Sequence, residues 1–308
     1  MNTIADAVSN PGSGTHAWNR RARYFNSGNA FALVLAPVPS TTFIAERDRA
    51  FDPAAPTGLI DMDLSKTLEL PFPATTPLVL SRYAVIRAKE TLKVEVRAST
   101  QLFCILKGRG TTEVAGETID WKAGDVLALP GAARARHSAI EHTIAWLVTD
   151  EPSLAYLDVN PVDAKNALVQ PVHYLAEDLQ AELEAVHRHP DRDSFAGYAV
   201  VLSHEGLEHT RNIHPTMTLA LNSLPPKRSQ RPHVHNAMAL TLCLQGEGCH
   251  SMVDGQRKDW SPYAVMVTPP CAAHSHHNEG SKRMECLIVQ DGNLHYHART
   301  PGFAFAGD

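Results

Sequence analysis

Three histidines carry the strongest chemical signal in the sequence: His233, His235 and His274. His233 and His235 alternate along an extended segment, so a strand turns both imidazoles to one face. His274 follows a Thr-Pro-Pro turn, and Asn278 comes shortly after it. Three neutral imidazoles converging from two strands suit a borderline divalent metal such as Fe(II), Mn, Ni, Cu or Zn. Three protein ligands leave coordination positions open, which marks a catalytic rather than a structural centre. Without a carboxylate ligand the metal keeps its full positive charge, and that favours an anionic, chelating substrate. Two strand histidines and a turn histidine at the surface would explain the residue types but not their spacing.

Other side chains of the same stretch are candidates for the rest of a site. His276 shares strand parity with His274 and is the candidate catalytic residue, as a base for a substrate proton or as a brace for a ligand. Arg231 shares parity with the ligand pair and is the first candidate to take a substrate carboxylate in its guanidinium fork. Gln290 lies on the last strand of this region and is placed to hydrogen-bond a bound oxygen.

These residues must be positioned by strands. From Thr76 onward the chain is a series of short β-rich segments closed by Gly, Asp and Pro, the signature of an all-β barrel or sandwich. The segments occur twice. QLFCILKGRGTTEVAGETIDWKAGDVLALPG matches ALTLCLQGEGCHSMVDGQRKDWSPYAVMVTPP element by element, with Gly108 and Gly110 against Gly246 and Gly248, Trp121 against Trp260, and Pro130 against Pro269. This internal duplication predicts two tandem jelly-roll barrels. Sliding one copy on the other sets Glu95 and Arg97 against His233 and His235, and Ala135 against His274, so the first barrel is expected to hold no metal. VHYLAEDLQAELEAVHRH is the one helical stretch of the connection, with Leu175, Leu179 and Leu183 on one face. The expected division is 1–150 for an N-terminal arm and the first barrel, 151–205 for the connection, and 206–308 for the metal-binding barrel. Before the first barrel, NAFALVLAP and TTFIAER read as short strands.

The paired histidines, the Gly246-Glu247-Gly248 turn and the Pro269, His274, Asn278 run resemble the two cupin motifs. The likeness is closer to the gentisate and salicylate 1,2-dioxygenase branch. That branch also lacks the acidic ligand a few residues after the histidine pair, where this chain has Ala237, Met238 and Ala239. It shares the Thr-Pro-Pro turn, the His-x-His at the third ligand and the Asn-Glu-Gly that follows. The resemblance implies a bicupin fold, a non-haem Fe(II) centre and ring cleavage of a small hydroxylated aromatic acid with O2. Mn, Ni or Zn would accompany the other metal-cupin activities, such as an isomerase, decarboxylase or aminohydrolase; a small-molecule-binding cupin is the non-enzymatic alternative. The chain departs from the branch in one respect: the family's N-terminal barrel holds the iron, whereas here the ligands lie in the C-terminal copy.

Composition narrows the partners. A net charge of −5 with no long basic run argues against nucleic acid and anionic membrane surfaces. No apolar stretch is long enough to span a membrane, and the first residues lack the basic start and apolar core of a secretory signal. The odd count of five cysteines, with no Cys-x-x-Cys, points away from a disulfide framework or zinc ribbon. The expectation is a cytoplasmic homodimer or homotetramer, the first barrel persisting for packing.

Overall fold

A computed structural model describes residues 10–192 and 197–306. The described residues up to Pro37 form one compact unit and those from Val38 onward another. In the first unit Asn10–Pro11 pairs with Arg23–Tyr24, and the helices Ala17–Arg21 and Ser27–Ala30 follow the same short course. NAFALVLAP forms no strand: beyond Ala30 the backbone is irregular, and Phe31, Val34 and Leu35 are exposed. Alternating apolar residues favour a strand only where a second strand pairs with them.

The second unit contains both barrels. The first is built from a four-stranded sheet, in the order Thr91–Val94, Ala135–Ala139, Arg109–Val114, Glu117–Lys122, and a six-stranded sheet running from Val172–Tyr174 to Gly58–Asp61. The second repeats the plan. A five-stranded sheet orders Tyr198–Val201, Thr218–Leu224, Met284–Gln290, Ala239–Gln245 and Val265–Thr268. Its partner sheet carries His233–His235 and His274–Asn278 side by side. The sheets are antiparallel throughout, which gives the all-β bicupin architecture implied by the duplicated pattern.

Each barrel takes an edge from the chain that precedes the other. Thr42 bridges Met266, with Phe43 N donating to Val265 O and Val267 N to Thr41 O. In turn Val172–Tyr174 pairs with Val126, Leu127 and Ala128. TTFIAER is therefore a single bridge followed by the helix Ile44–Phe51, not a strand. Residues of the six-stranded sheet of the first barrel and the five-stranded sheet of the second, among them Leu102, Trp146, Leu240 and Val289, share one apolar core. The connection supplies the expected helix at Ala176–Arg188, which buries Leu179 and Leu183, and a second at Glu151–Leu157 with Pro152 in its first turn.

A buried polar cluster ties the barrels at the base of the connection. Asp150 Oδ1 accepts from Ser99 N at 2.8 Å, and its Oδ2 accepts from Ser99 Oγ at 2.5 Å. His214 Nε2 lies 2.6 Å from Ser99 Oγ and 3.4 Å from Asp150 Oδ2. Burial works to raise the Asp150 carboxyl, but the hydrogen bonds and charge of His214, with those of Ser99, outweigh it and hold the group below the usual carboxylate range. A depressed carboxyl contributes stability above its unfolded value and loses it as pH falls through the folded one. Asp150→Asn should therefore cost about 1.5–3 kcal/mol at neutral pH. The gap from wild type should begin to shrink as pH falls past about 4, where the unfolded carboxyl takes up its proton, and close only below the depressed folded value. Chemical denaturation of both proteins across pH checks this; a gap that does not shrink on acidification would contradict it.

Candidate metal centre

His233 and His235 extend from a three-residue strand, and His274 opens the neighbouring strand directly opposite His233. One ligand atom from each of the three lies within 4.8 Å of the others. Each Nδ1 is turned to a backbone carbonyl: His233 to Arg231 O at 3.1 Å, His235 to Ala237 O at 2.7 Å, and His274 to Ala272 O at 2.9 Å. The carbonyls hold the proton on Nδ1 and leave each Nε2 lone pair to the shared centre. Burial lowers all three from the ordinary histidine value, His274 to about 4, so the rings are neutral at pH 7. Neutral imidazoles with convergent lone pairs fit a divalent metal, and three of them leave open positions.

The ligands open onto a cavity of about 570 Å³ between the sheets of the second barrel. Gln290 reaches it from the last strand, its Nε2 3.2 Å from His235 Nε2. Tyr296, from the helix Gly292–Ala298, and Phe303 wall it with aromatic surface. Gly248 makes the turn that precedes Cys249–Val253, the strand paired with His274–Asn278: its φ is +72°, and a Cβ would meet Gly280 Cα at 2.8 Å.

His276 also lines the cavity, within a fixed network. Trp260 Nε1 donates to Ser251 Oγ at 2.8 Å, and Ser251 Oγ lies 2.7 Å from His276 Nδ1. Assigned from this network, the serine proton goes to Nδ1 and the imidazole proton sits on Nε2. Burial pushes His276 down to about 3. It is thus a neutral N–H donor, and so weak a base is a poor acceptor for a phenolic proton. The first barrel contains the same network: Trp121 Nε1 donates to Thr112 Oγ1, which lies 2.8 Å from His137 Nδ1. In both copies the hydroxyl stands nine residues before the tryptophan and 25 before the histidine. That repeated spacing was visible in the sequence and would have marked His276 as part of the barrel's framework.

Arg231 is not on the cavity wall. It is exposed, and its guanidinium lies 4.2 Å over the Phe305 ring. Parity fails because the strand begins only at His233, beyond Pro232. The arginine of the wall is Arg211, which sequence reasoning missed. It ends the turn Glu205–Thr210 in the left-handed region, at φ 56°. Among the described residues its guanidinium makes no hydrogen bond or ion pair, and it is the one Lys, Arg, Asp or Glu of the wall. The same left-handed conformation ends the helices Glu151–Leu157 at Asp158 and Gly292–Ala298 at Arg299, so at Arg211 it is the ordinary close of a helical turn. No local motif announces it, since only the tertiary course of the connection brings it to the cavity.

The strand register also corrects the comparison between copies. Ala135 pairs with Val94 as His274 pairs with His233, so the counterparts of the histidine pair are Val94 and Val96, one residue from Glu95 and Arg97. Glu95 and Arg97 point outward, to Arg134 and to Asp158. A one-residue slip exchanges the faces of a strand. The first barrel has an apolar interior at these positions rather than a charged one.

The remaining histidines of this region are occupied elsewhere. His277 stacks on His250 at 4.6 Å, facing away from the ligands, and Asn278 Nδ2 braces the turn by donating to the carbonyls of Leu224, Pro225 and Lys282.

Comparisons with known proteins agree with this architecture. The cupin domain family matches residues 220–290. Gentisate 1,2 dioxygenase 1 of Aquipseudomonas alcaligenes is 30% identical over 93 residues, 30% of this chain and 26% of the relative, so the match spans about a quarter of that protein's length. Salicylate 1,2-dioxygenase of Pseudaminobacter salicylatoxidans superposes with a TM-score of 0.72 at 13% identity, covering 89% of each chain. The structure of that enzyme's adducts with gentisate gives 0.72 at 12% identity, covering 90% of this chain and 87% of that one. A cupin 2 conserved barrel domain protein from Leptotrichia buccalis gives 0.53 at 13% identity over 84% of this chain and 97% of its own. The chain has the bicupin fold of the salicylate dioxygenase, and the stretch that matches the cupin domain lies in its C-terminal barrel.

Proposed function

We propose that this chain is a non-haem Fe(II)-dependent ring-cleaving dioxygenase acting on a hydroxylated aromatic acid of the gentisate or salicylate kind. The reading is carried by three neutral histidine nitrogens converging on a cavity with an arginine on its wall. Fe(II) bound there would supply positive charge and a site for O2 beside the substrate. Arg211 takes the carboxylate in its fork. His276 donates its Nε2–H to an oxygen on the ring, and Gln290 hydrogen-bonds an oxygen beside His235. Tyr296 and Phe303 shield the cavity from water. The bond between the ring carbons bearing carboxylate and hydroxyl is cleaved, and both atoms of O2 enter an open-chain oxo-dicarboxylate.

Five free thiols accord with a place in the cytoplasm. Among the described residues no helix is long and apolar enough to cross a membrane. The reading includes a homodimer or homotetramer. An oxygen-electrode trace of the Fe(II)-loaded protein with a panel of salicylates and gentisates tests it. Equimolar loss of O2 and one of the acids is expected. No uptake with any of them, and turnover of another substrate with Mn, Ni or Zn, would give the site to a different metal-cupin activity.

A further inference from the structure

The copy without ligands displays what fills a barrel of this sequence when nothing is left open. In the first barrel the Phe103 ring lies against the ring of His137, 4.3 Å between centroids, within an apolar core that includes Leu129. His137 is the counterpart of His276, since both hang from the same tryptophan–hydroxyl network. The registers give the other counterparts. Phe103 pairs with Leu127 and Leu147, as Thr241 pairs with Met266 and Ile288. Leu129 corresponds to Thr268, two residues further along the same strand. The ring that covers His137 therefore has no equivalent over His276. His276, Thr241, Thr268 and Ile288 all face the cavity instead.

The two threonines are themselves anomalous. Thr241 is 3% exposed and Thr268 1%, and neither Oγ1 has a hydrogen-bond partner among the described residues. A buried hydroxyl left unpaired is costly, and the first barrel shows that apolar side chains are accommodated at both places. Both threonines line the cavity, but their Oγ1 atoms are closed off from it, so what they leave open is the space that the larger Phe103 and Leu129 side chains fill in the first barrel.

We infer that the second barrel holds the aromatic ring of its substrate where the first barrel holds its own Phe103. The ring lies against His276, in the space that Thr241 and Thr268 leave where the first barrel has Phe103 and Leu129. The ligand class is a single aromatic ring bearing hydroxyl and carboxylate groups. The identity of the substrate rests on the ring-cleavage reading, whereas the place of the ring rests on the duplication.

Thr241→Phe would restore the plug of the first barrel. With Zn(II) as a redox-inert occupant, wild type and variant should take up equal metal. Calorimetric titration with salicylate and gentisate should then show binding weakened by about 10–100-fold in Thr241→Phe, the effect of overfilling a packed site. Thr241→Ser should bind as wild type does. If Thr241→Phe does not fold, Thr241→Leu makes the same test with a smaller loss. Undiminished affinity in a folded, metal-loaded variant, or no binding of either acid to wild type, would overturn the inference. The two readings fail separately. Acids that bind and are displaced by the phenylalanine, with no O2 uptake on Fe(II), would sink the oxygenase and leave the ring site. Full oxygenase activity in Thr241→Phe would do the reverse.

Discussion

His235→Ala is expected to release the metal and abolish turnover while leaving the barrels folded, and His233→Ala and His274→Ala should do the same. Each ring contributes one of three Nε2 atoms to the centre, and each is oriented by its own Nδ1–H bond to a carbonyl. Changes in outer-shell partners alone cost about 10–100-fold in affinity, so loss of a ligand should cost more than about 100-fold. The fold does not depend on the ion as a zinc finger does. The second barrel is closed by long apolar ladders, with Leu240, Leu242, Val265 and Val289 wholly buried. Metal analysis and circular dichroism of the three variants check the result. A variant that keeps both full metal and full turnover would remove its residue from the ligand set.

Arg211→Ala should raise KM for an aromatic acid by about 10-fold or more, the loss of a charge-assisted pair of hydrogen bonds worth about 1.5–3 kcal/mol. Arg211→Lys keeps the charge but loses the fork and should fall between the two. The effect should sit mainly in KM, because the carboxylate is held in ground state and transition state alike. Arg231→Ala is the control. Its guanidinium lies over Phe305, outside the cavity, so both constants should stay at wild-type values. Unchanged KM in Arg211→Ala, or a rise in Arg231→Ala instead, would return the carboxylate to Arg231.

The sequence made the duplicated barrels legible because the repeated glycines, tryptophans and prolines mark turns, and turn residues are fixed by local backbone geometry. The histidine set was legible for a similar reason: alternation along a strand decides which side chains share a face. Parity misled where the strand was shorter than the pattern. Arg231 lies beyond the first residue of His233–His235, and Glu95 and Arg97 stand one residue out of register with the histidine pair. Residues 41–47 were misread because their pairing is tertiary. Only Thr41, Thr42 and Phe43 reach a partner strand, in the other barrel, and the helix formers after them take over. Arg211 and the cavity itself belong to the same class. The hollow interior arises from Thr241 and Thr268 standing where the first copy has Phe103 and Leu129, a difference that acquires meaning only once the register is known.

The central claim is that a single metal sits in the C-terminal barrel. Anomalous diffraction at the iron edge from crystals of Fe(II)-loaded protein tests it most directly. One peak per chain is expected, bounded by the Nε2 atoms of His233, His235 and His274, with none beside Val94, Val96 and Ala135. A peak in the first barrel, or iron held away from these three nitrogens, would contradict the account.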